Sequence, residues 1–298
     1  PPPISTLFPY TTLFRSKFDY NGWSPGNSDD AYGGYMSFRE ALAKSVNVIA
    51  GRLTISNIAP PEQVIKYAKM MGINTKLTPY PAIALGTSEV SPLELTSAFA
   101  TLANAGVYIS PISILRIEDR NGVIIDEFRP EIREAISPET AAIVTNMMED
   151  VLSYGTGAGV RKWFHRPAAG KTGTTQDFAD AWFAGFTPQL AGGVWVGFDD
   201  RRVRFTNWYG QGGRAAMPIW AKFMAETYKE LNLPLEYFTL PENVISVEFC
   251  RESIIKGDSK LANGNCPSKV SDIVNKNRLP LPCDIHSNGR ATRGGSGW

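Results

Sequence analysis

The stretch that most restricts the fold runs from Ala169 to Asp200. It opens on Gly170-Lys171-Thr172-Gly173-Thr174-Thr175, continues through Asp180-Ala181-Trp182-Phe183-Ala184-Gly185-Phe186, and closes with Gly193-Val194-Trp195-Val196-Gly197. Short runs rich in aromatic and β-branched residues, punctuated by glycine and proline, are strand material. Neighbouring strands are therefore expected here. Lys171 and the hydroxyls of Thr172, Thr174 and Thr175 then form a polar strand edge suited to a carboxylate-bearing substrate. The letters Gly-Lys-Thr could instead close a phosphate loop, which needs an earlier glycine and a helix starting at the lysine. That glycine position holds His165, and Thr-Gly-Thr-Thr disfavours a first helical turn. A P-loop nucleotide binder stays a remote alternative. Gly155-Thr156-Gly157-Ala158-Gly159 follows a helical pattern, so it reads as a helix stop and loop and not as a dinucleotide fingerprint.

Upstream, residues 17–36 read as a loop. Ser37-Phe38-Arg39-Glu40 is a capping box that opens a helix carried on by Ala41, Leu42, Val46, Ile49 and Leu53. Ser45-Val46-Asn47 lies inside it. Each helical residue turns by about 100°, so these two polar side chains would point about 200° apart on a continuous helix. If they serve one site, the helix must break near them. Alone, such a pair is an ordinary solvent-facing feature.

Further helices are predicted from Pro61 to Met71, ended by Gly72, and from the second capping box Ser91-Pro92-Leu93-Glu94 to Gly106. Asn121-Gly122 between Ile112–Glu118 and Val123–Phe128 predicts a two-residue hairpin. Ser137-Pro138 opens a helix to Tyr154, and Pro218 to Leu231 is amphipathic, with Trp220, Phe223, Met224 and Tyr228 as its apolar side.

The two ends differ from this middle. Thr6 to Ser16 resembles a translated sequencing-library adapter, so residues 1–16 are set aside as an assembly artefact. Residues 17–232 then form the domain. Residues 233–298 form a C-terminal extension with Cys250, Cys266 and Cys283, its last dozen residues expected to be disordered. Cys283-Asp284-Ile285-His286 after two other cysteines sketches a zinc site. The sequence lacks a Cys-x-x-Cys knuckle, and one disulfide plus a spare thiol is favoured over metal. A formal charge of +1 argues against nucleic acid or an anionic membrane as partner. No apolar run approaches the length of a bilayer span, and no segment resembles a signal peptide.

Taken together, residues 19 to about 231 resemble the transpeptidase domain of class A, bifunctional penicillin-binding proteins. The resemblance rests on Arg39-Glu40-Ala41-Leu42 before Ser45-Val46-Asn47, Ala84-Leu85-Gly86-Thr87, Gly155-Thr156-Gly157, Gly170 to Thr175, Asp180-Ala181-Trp182-Phe183, Val194-Trp195-Val196-Gly197 and Ala216-Met217-Pro218-Ile219-Trp220. It implies an α+β fold of the penicillin-binding and serine β-lactamase kind, an antiparallel sheet with helices on both faces and an all-helical subdomain. It also implies acyl transfer on peptidoglycan stem peptides, with a D-Ala-D-Ala donor and an amine acceptor, and β-lactams as mimics. No cofactor is implied.

By the same resemblance, Ser45 would relay a proton to the leaving nitrogen and Asn47 would hold the acyl amide and the catalytic lysine. Lys171 would supply positive potential beside Ser45. Thr172 and Thr174 would bind the terminal carboxylate, the Thr174 amide would complete an oxyanion hole, Gly173 would admit substrate backbone, and Thr175 would extend that wall. The family's nucleophile motif, Ser-x-x-Lys, should precede Ser45, and no such motif lies between Lys17 and Lys44. Ser253-Ile254-Ile255-Lys256 comes after Lys171 and reads as chance. The chain is therefore expected to be an N-terminally truncated, inactive fragment of a parent enzyme working at the extracytoplasmic, periplasmic face of the inner membrane. Its membrane anchor would lie upstream. A noncatalytic cell-wall or partner-binding module of the same fold is the alternative.

Overall fold

A computed structural model describes residues 11–200 and 202–286. Residues 1–10 of the adapter-like segment and the end from 287 onward, expected to be disordered, lie outside the described residues. The chain begins with a short antiparallel pair, β1 (Thr12–Phe14) against β2 (Tyr35–Ser37). Ser37 then caps α1 (Phe38–Ala43), its Oγ accepting from the Glu40 amide at 3.2 Å. The box is only half formed, because the Glu40 carboxylate accepts from the Ser37 hydroxyl at 3.3 Å.

The expected helix through Leu53 is in fact two. After α1 the chain turns and restarts as α2 (Asn47–Ile55), followed by α3 (Pro61–Met70). Both meet a 3-10 turn at Pro81–Leu85. Next, α4 (Pro92–Ala103) begins with the complete Ser91–Glu94 capping box. The segment β3 (Val107–Ile109), β4 (Arg116–Glu118), β5 (Ile124–Glu127) and β6 (Ile132–Glu134) forms two small ribbons, β3–β6 and β4–β5. The β4–β5 turn closes one residue earlier than the Asn-Gly signal predicts. The Asp119 carbonyl accepts from Gly122, and the Asp119 side chain accepts from Asn121 and Val123. The aspartate pulls the turn toward itself.

The core is built on α5 (Pro138–Ser153) and the sheet β7 (Ala169–Thr174), β8 (Asp180–Phe186), β9 (Ala191–Gly197), antiparallel in that order. Side chains alternate across a strand. Phe186 and Ala169 accordingly face Leu102 of α4 and Met148 of α5. Phe183 faces the other side, against Trp220 of α7 (Met217–Glu230), which follows the short α6 (Gly212–Ala215). Helices thus cover both faces. The row Gly170, Gly185, Gly192 is one cross-strand register, and a Cβ on Gly185 or Gly192 would come within 3.0 Å of the Trp220 indole. The glycines let that indole lie flat on the sheet and donate to the Gly192 carbonyl at 3.1 Å. On α7, Trp220, Met224 and Tyr228 are buried, whereas Phe223 is 64% exposed. Positions 220, 224 and 228 drift only about 40° per step, and 223 falls well off that stripe.

Beyond α7, β10 (Val244–Cys250), α8 (Arg251–Ile255) and β11 (Lys269–Asn275) form a ribbon, β10 antiparallel to β11. Asp272 of β11 is buried against Arg39 of α1, with Nε to Oδ2 at 3.0 Å. The same guanidinium donates to Asp150 and to the Asn146 side chain on α5. Among the described residues no helix is long and apolar enough to cross a membrane.

Candidate active site

The site forms where α1 stops. Lys44 is still right-handed, but Ser45 takes φ +55°. Its amide donates to the Leu42 carbonyl and the next amide, Val46, donates back to Ala41. That pair of bonds is a Schellman helix stop, whose left-handed residue is usually glycine. A serine there carries about 1–2 kcal/mol of backbone strain. Its hydroxyl is held off the helix surface, and Lys171 Nζ donates to Ser45 Oγ at 2.7 Å and to the Thr172 carbonyl at 3.0 Å. Burial pulls the Lys171 ammonium down to about 8, because a charge removed from water is disfavoured.

The edge strand β7 supplies the other groups. Gly173 sits opposite Trp182, and a Cβ on it would come within 3.0 Å of the Trp182 Cβ. Thr172 Oγ1 lies 2.7 Å from Thr156 Oγ1. Thr174 Oγ1 accepts from the Gly212 amide at 3.0 Å. Thr175, past the end of β7, donates to Asp180 at 3.2 Å and closes the turn into β8. Lys171 lies within a strand that leads to another strand, so no helix N-terminus is available to hold phosphate and the P-loop reading falls.

Asn47 is placed differently. It is the first residue of α2, and its Nδ2 donates to the Gly26 carbonyl at 2.7 Å. The helix break that frees Ser45 turns Asn47 to the loop over residues 17–34, where Asn27 Oδ1 also accepts from the Val48 amide. Ser45 and Lys171 are brought into direct contact, Thr172 and Thr174 lie along the same edge, and Asn47 is anchored beside them.

Sequence reasoning gave no role to Thr156. Its amide donates to the Ala43 carbonyl at 3.0 Å while its hydroxyl meets Thr172, so the Gly155-Thr156-Gly157 loop ties the end of α1 to β7. Gly155 permits this approach, since a Cβ there would lie 2.2 Å from the Ala43 oxygen. Two glycines around a threonine after a helix were the available signal.

A lysine on a sheet edge beside a serine at a helix break, with threonine hydroxyls along the strand, defines the class of penicillin-recognising acyl-transfer folds. The sequence profile of the penicillin binding protein transpeptidase domain matches residues 5–225, and the chain belongs to that family, in its class A branch. It is 36% identical over 255 residues to penicillin-binding protein 1A of Aquifex aeolicus, covering 86% of this chain and 34% of that protein. With penicillin-binding protein 1A of Neisseria meningitidis it shares 34% identity over 231 residues, 75% of this chain and 28% of the relative. The chain thus spans about a third of the length of these relatives. Among solved structures, penicillin-binding protein 1A from Haemophilus influenzae superposes with a TM-score of 0.81 at 24% identity, over 93% of this chain and 46% of that one. PonA1 from Mycobacterium tuberculosis in complex with penicillin V superposes with a TM-score of 0.68 at 25% identity, over 80% and 68%.

Proposed function

We propose that this chain carries the substrate-positioning wall of a peptidoglycan D,D-transpeptidase. The observation that carries the reading is the Lys171 Nζ to Ser45 Oγ hydrogen bond of 2.7 Å. Because the lysine donates, the serine hydroxyl hydrogen is free to point at the leaving nitrogen of a D-Ala-D-Ala bond. Lys171, Thr172 and Thr174 receive the terminal carboxylate of the donor stem peptide. Gly173 lets its backbone lie along β7, Thr175 fixes the end of the strand, and the Thr174 amide faces the developing oxyanion. Asn47 keeps Nδ2 on the Gly26 carbonyl and offers Oδ1 to the acyl amide. The acceptor is an amine of a neighbouring strand, β-lactams compete for the donor site, and the substrate places this face outside the cytoplasmic membrane.

The roles proposed for Ser45, Asn47, Lys171, Thr172 and Thr174 are donor-binding and proton-relay roles, and none of them is the acylated nucleophile. A fluorescent penicillin is expected to leave this chain unlabelled after denaturing electrophoresis. A diacyl-Lys-D-Ala-D-Ala peptide is expected to perturb the amide resonances of Ser45, Lys171 and Thr174, an effect lost in Lys171→Ala. Covalent labelling would place a nucleophile within the chain. Absence of any perturbation would favour a noncatalytic module of the same fold.

A further inference from the structure

The three cysteines and one histidine of the C-terminal ribbon converge on a single point. Cys250 ends β10, Cys266 lies in the loop before β11, and Cys283 and His286 follow β11. Their three sulfurs and the imidazole nitrogen lie within 4.8 Å of one another. All three cysteines are buried and none is bonded to another. His286 Nδ1 stands 3.4 Å from Cys250 Sγ and 3.5 Å from Cys283 Sγ. Zinc–sulfur and zinc–nitrogen bonds of tetrahedral geometry separate neighbouring ligand atoms by about 3.5–3.8 Å. A disulfide would use two of the four groups and leave a buried thiol and an imidazole with nothing to do.

The surroundings are organised for the same purpose. His286 Nε2 meets Glu252 Oε2 at 2.8 Å, which holds the ring proton on Nε2 and turns the Nδ1 lone pair to the sulfurs, as carboxylates behind metal-bound histidines do. The Asn263 amide donates to Cys266 Sγ at 3.3 Å, and Asn263 Nδ2 to the Cys283 carbonyl at 2.9 Å. Asn265 Nδ2 holds the His286 carbonyl at 3.1 Å. Ala262 and Ile285 cover the cluster with apolar surface.

We propose that Cys250, Cys266, Cys283 and His286 bind one zinc ion as a closed structural site. Three thiol protons pass to solvent as Zn²⁺ enters, giving three thiolate bonds and one imidazole bond. With four protein ligands no coordination position remains for water or substrate, so the ion is structural. It ties the β10–β11 connection to the segment after β11 at the Cys250–Lys269 end of the ribbon, whose Asp272 holds Arg39 on the helix that ends at Ser45. The sequence pointed away from metal because Cys-x-x-Cys was missing. The fold supplies the closeness that local spacing lacks.

The test uses the full chain, expressed with zinc and purified without chelator. Elemental analysis should give about one zinc per chain. After stripping and refilling with Co²⁺, the visible spectrum should show the intense d–d bands and thiolate charge transfer of a tetrahedral thiolate site. Both should vanish in Cys266→Ser, and Glu252→Gln should weaken zinc by about 10–100-fold. If Cys266→Ser fails to fold, thiol alkylation of the wild-type chain decides: three protected thiols with zinc, three reactive ones after chelation. Zinc-free chain from zinc-rich medium, thiols that react equally with and without zinc, or a disulfide among the three cysteines would each overturn the assignment.

Discussion

At the scale of single residues, the site trades backbone comfort for a hydroxyl. Ser45 occupies a left-handed helix-stop position, φ +55°, at which glycine is unstrained. Ser45→Gly should therefore raise stability to denaturant by about 1 kcal/mol while abolishing the donor-peptide perturbation of Lys171. Equal or lower stability would mean that the strain is relieved elsewhere. Lys171 gives a second residue-scale prediction. Burial holds its pKa at about 8, below the unfolded value, so the folded state releases the proton first. The cost of the buried charge is complete below pH 8 and fades as pH rises toward the ordinary lysine range. Wild type should gain about 2–3 kcal/mol on Lys171→Met between pH 7 and pH 10. Paired chemical denaturation at the two pH values measures it, and an unchanged gap would refute the burial account. A bound carboxylate restores the charged form, so donor peptide should bind less well above pH 8.

At the scale of elements, position depends on how α1 is stopped and braced. The Gly155–Gly157 loop holds the last turn of α1 through the Thr156 amide. Gly155→Ala drives a methyl toward the Ala43 oxygen, 2.2 Å from where its Cβ would sit. It should cost about 1–3 kcal/mol as local overpacking, and should also weaken peptide binding by shifting Ser45. Thermal melts and the same resonance perturbation test both effects. The element boundaries were largely legible beforehand. Ser91-Pro92-Leu93-Glu94 caps α4 and Ser137-Pro138 opens α5, because caps act within one helical turn. The α1–α2 break was legible only as a condition. No glycine marks it, and Ser45 is held left-handed by bonds from both sides of the stop. Phe223 was misassigned to the buried side of α7 because its hydrophobicity was read without its angle to Trp220.

At the scale of the whole molecule, one guanidinium joins three parts of the chain. Arg39 on α1 reaches Asp150 on α5 and Asp272 on β11. Arg39→Met leaves the buried Asp272 carboxylate uncompensated and should cost about 3–5 kcal/mol, whereas adding Asp272→Leu should recover most of the loss. A double-mutant cycle by denaturant titration reads the coupling. Additive losses would show that the ribbon is held by other contacts.

The sequence by itself determined the strands that carry Lys171 and the threonines, the capped helices around them and the family to which the chain belongs. These follow from short-range rules of alternation, capping and glycine placement, and from motif order. Only the tertiary structure decided that Ser45 meets Lys171 across 126 residues, that Asn47 turns to Gly26, that Thr156 bridges α1 and β7, and that three separated cysteines share a centre with His286. Those contacts depend on how packed elements bring distant backbone together, and no local periodicity encodes that distance.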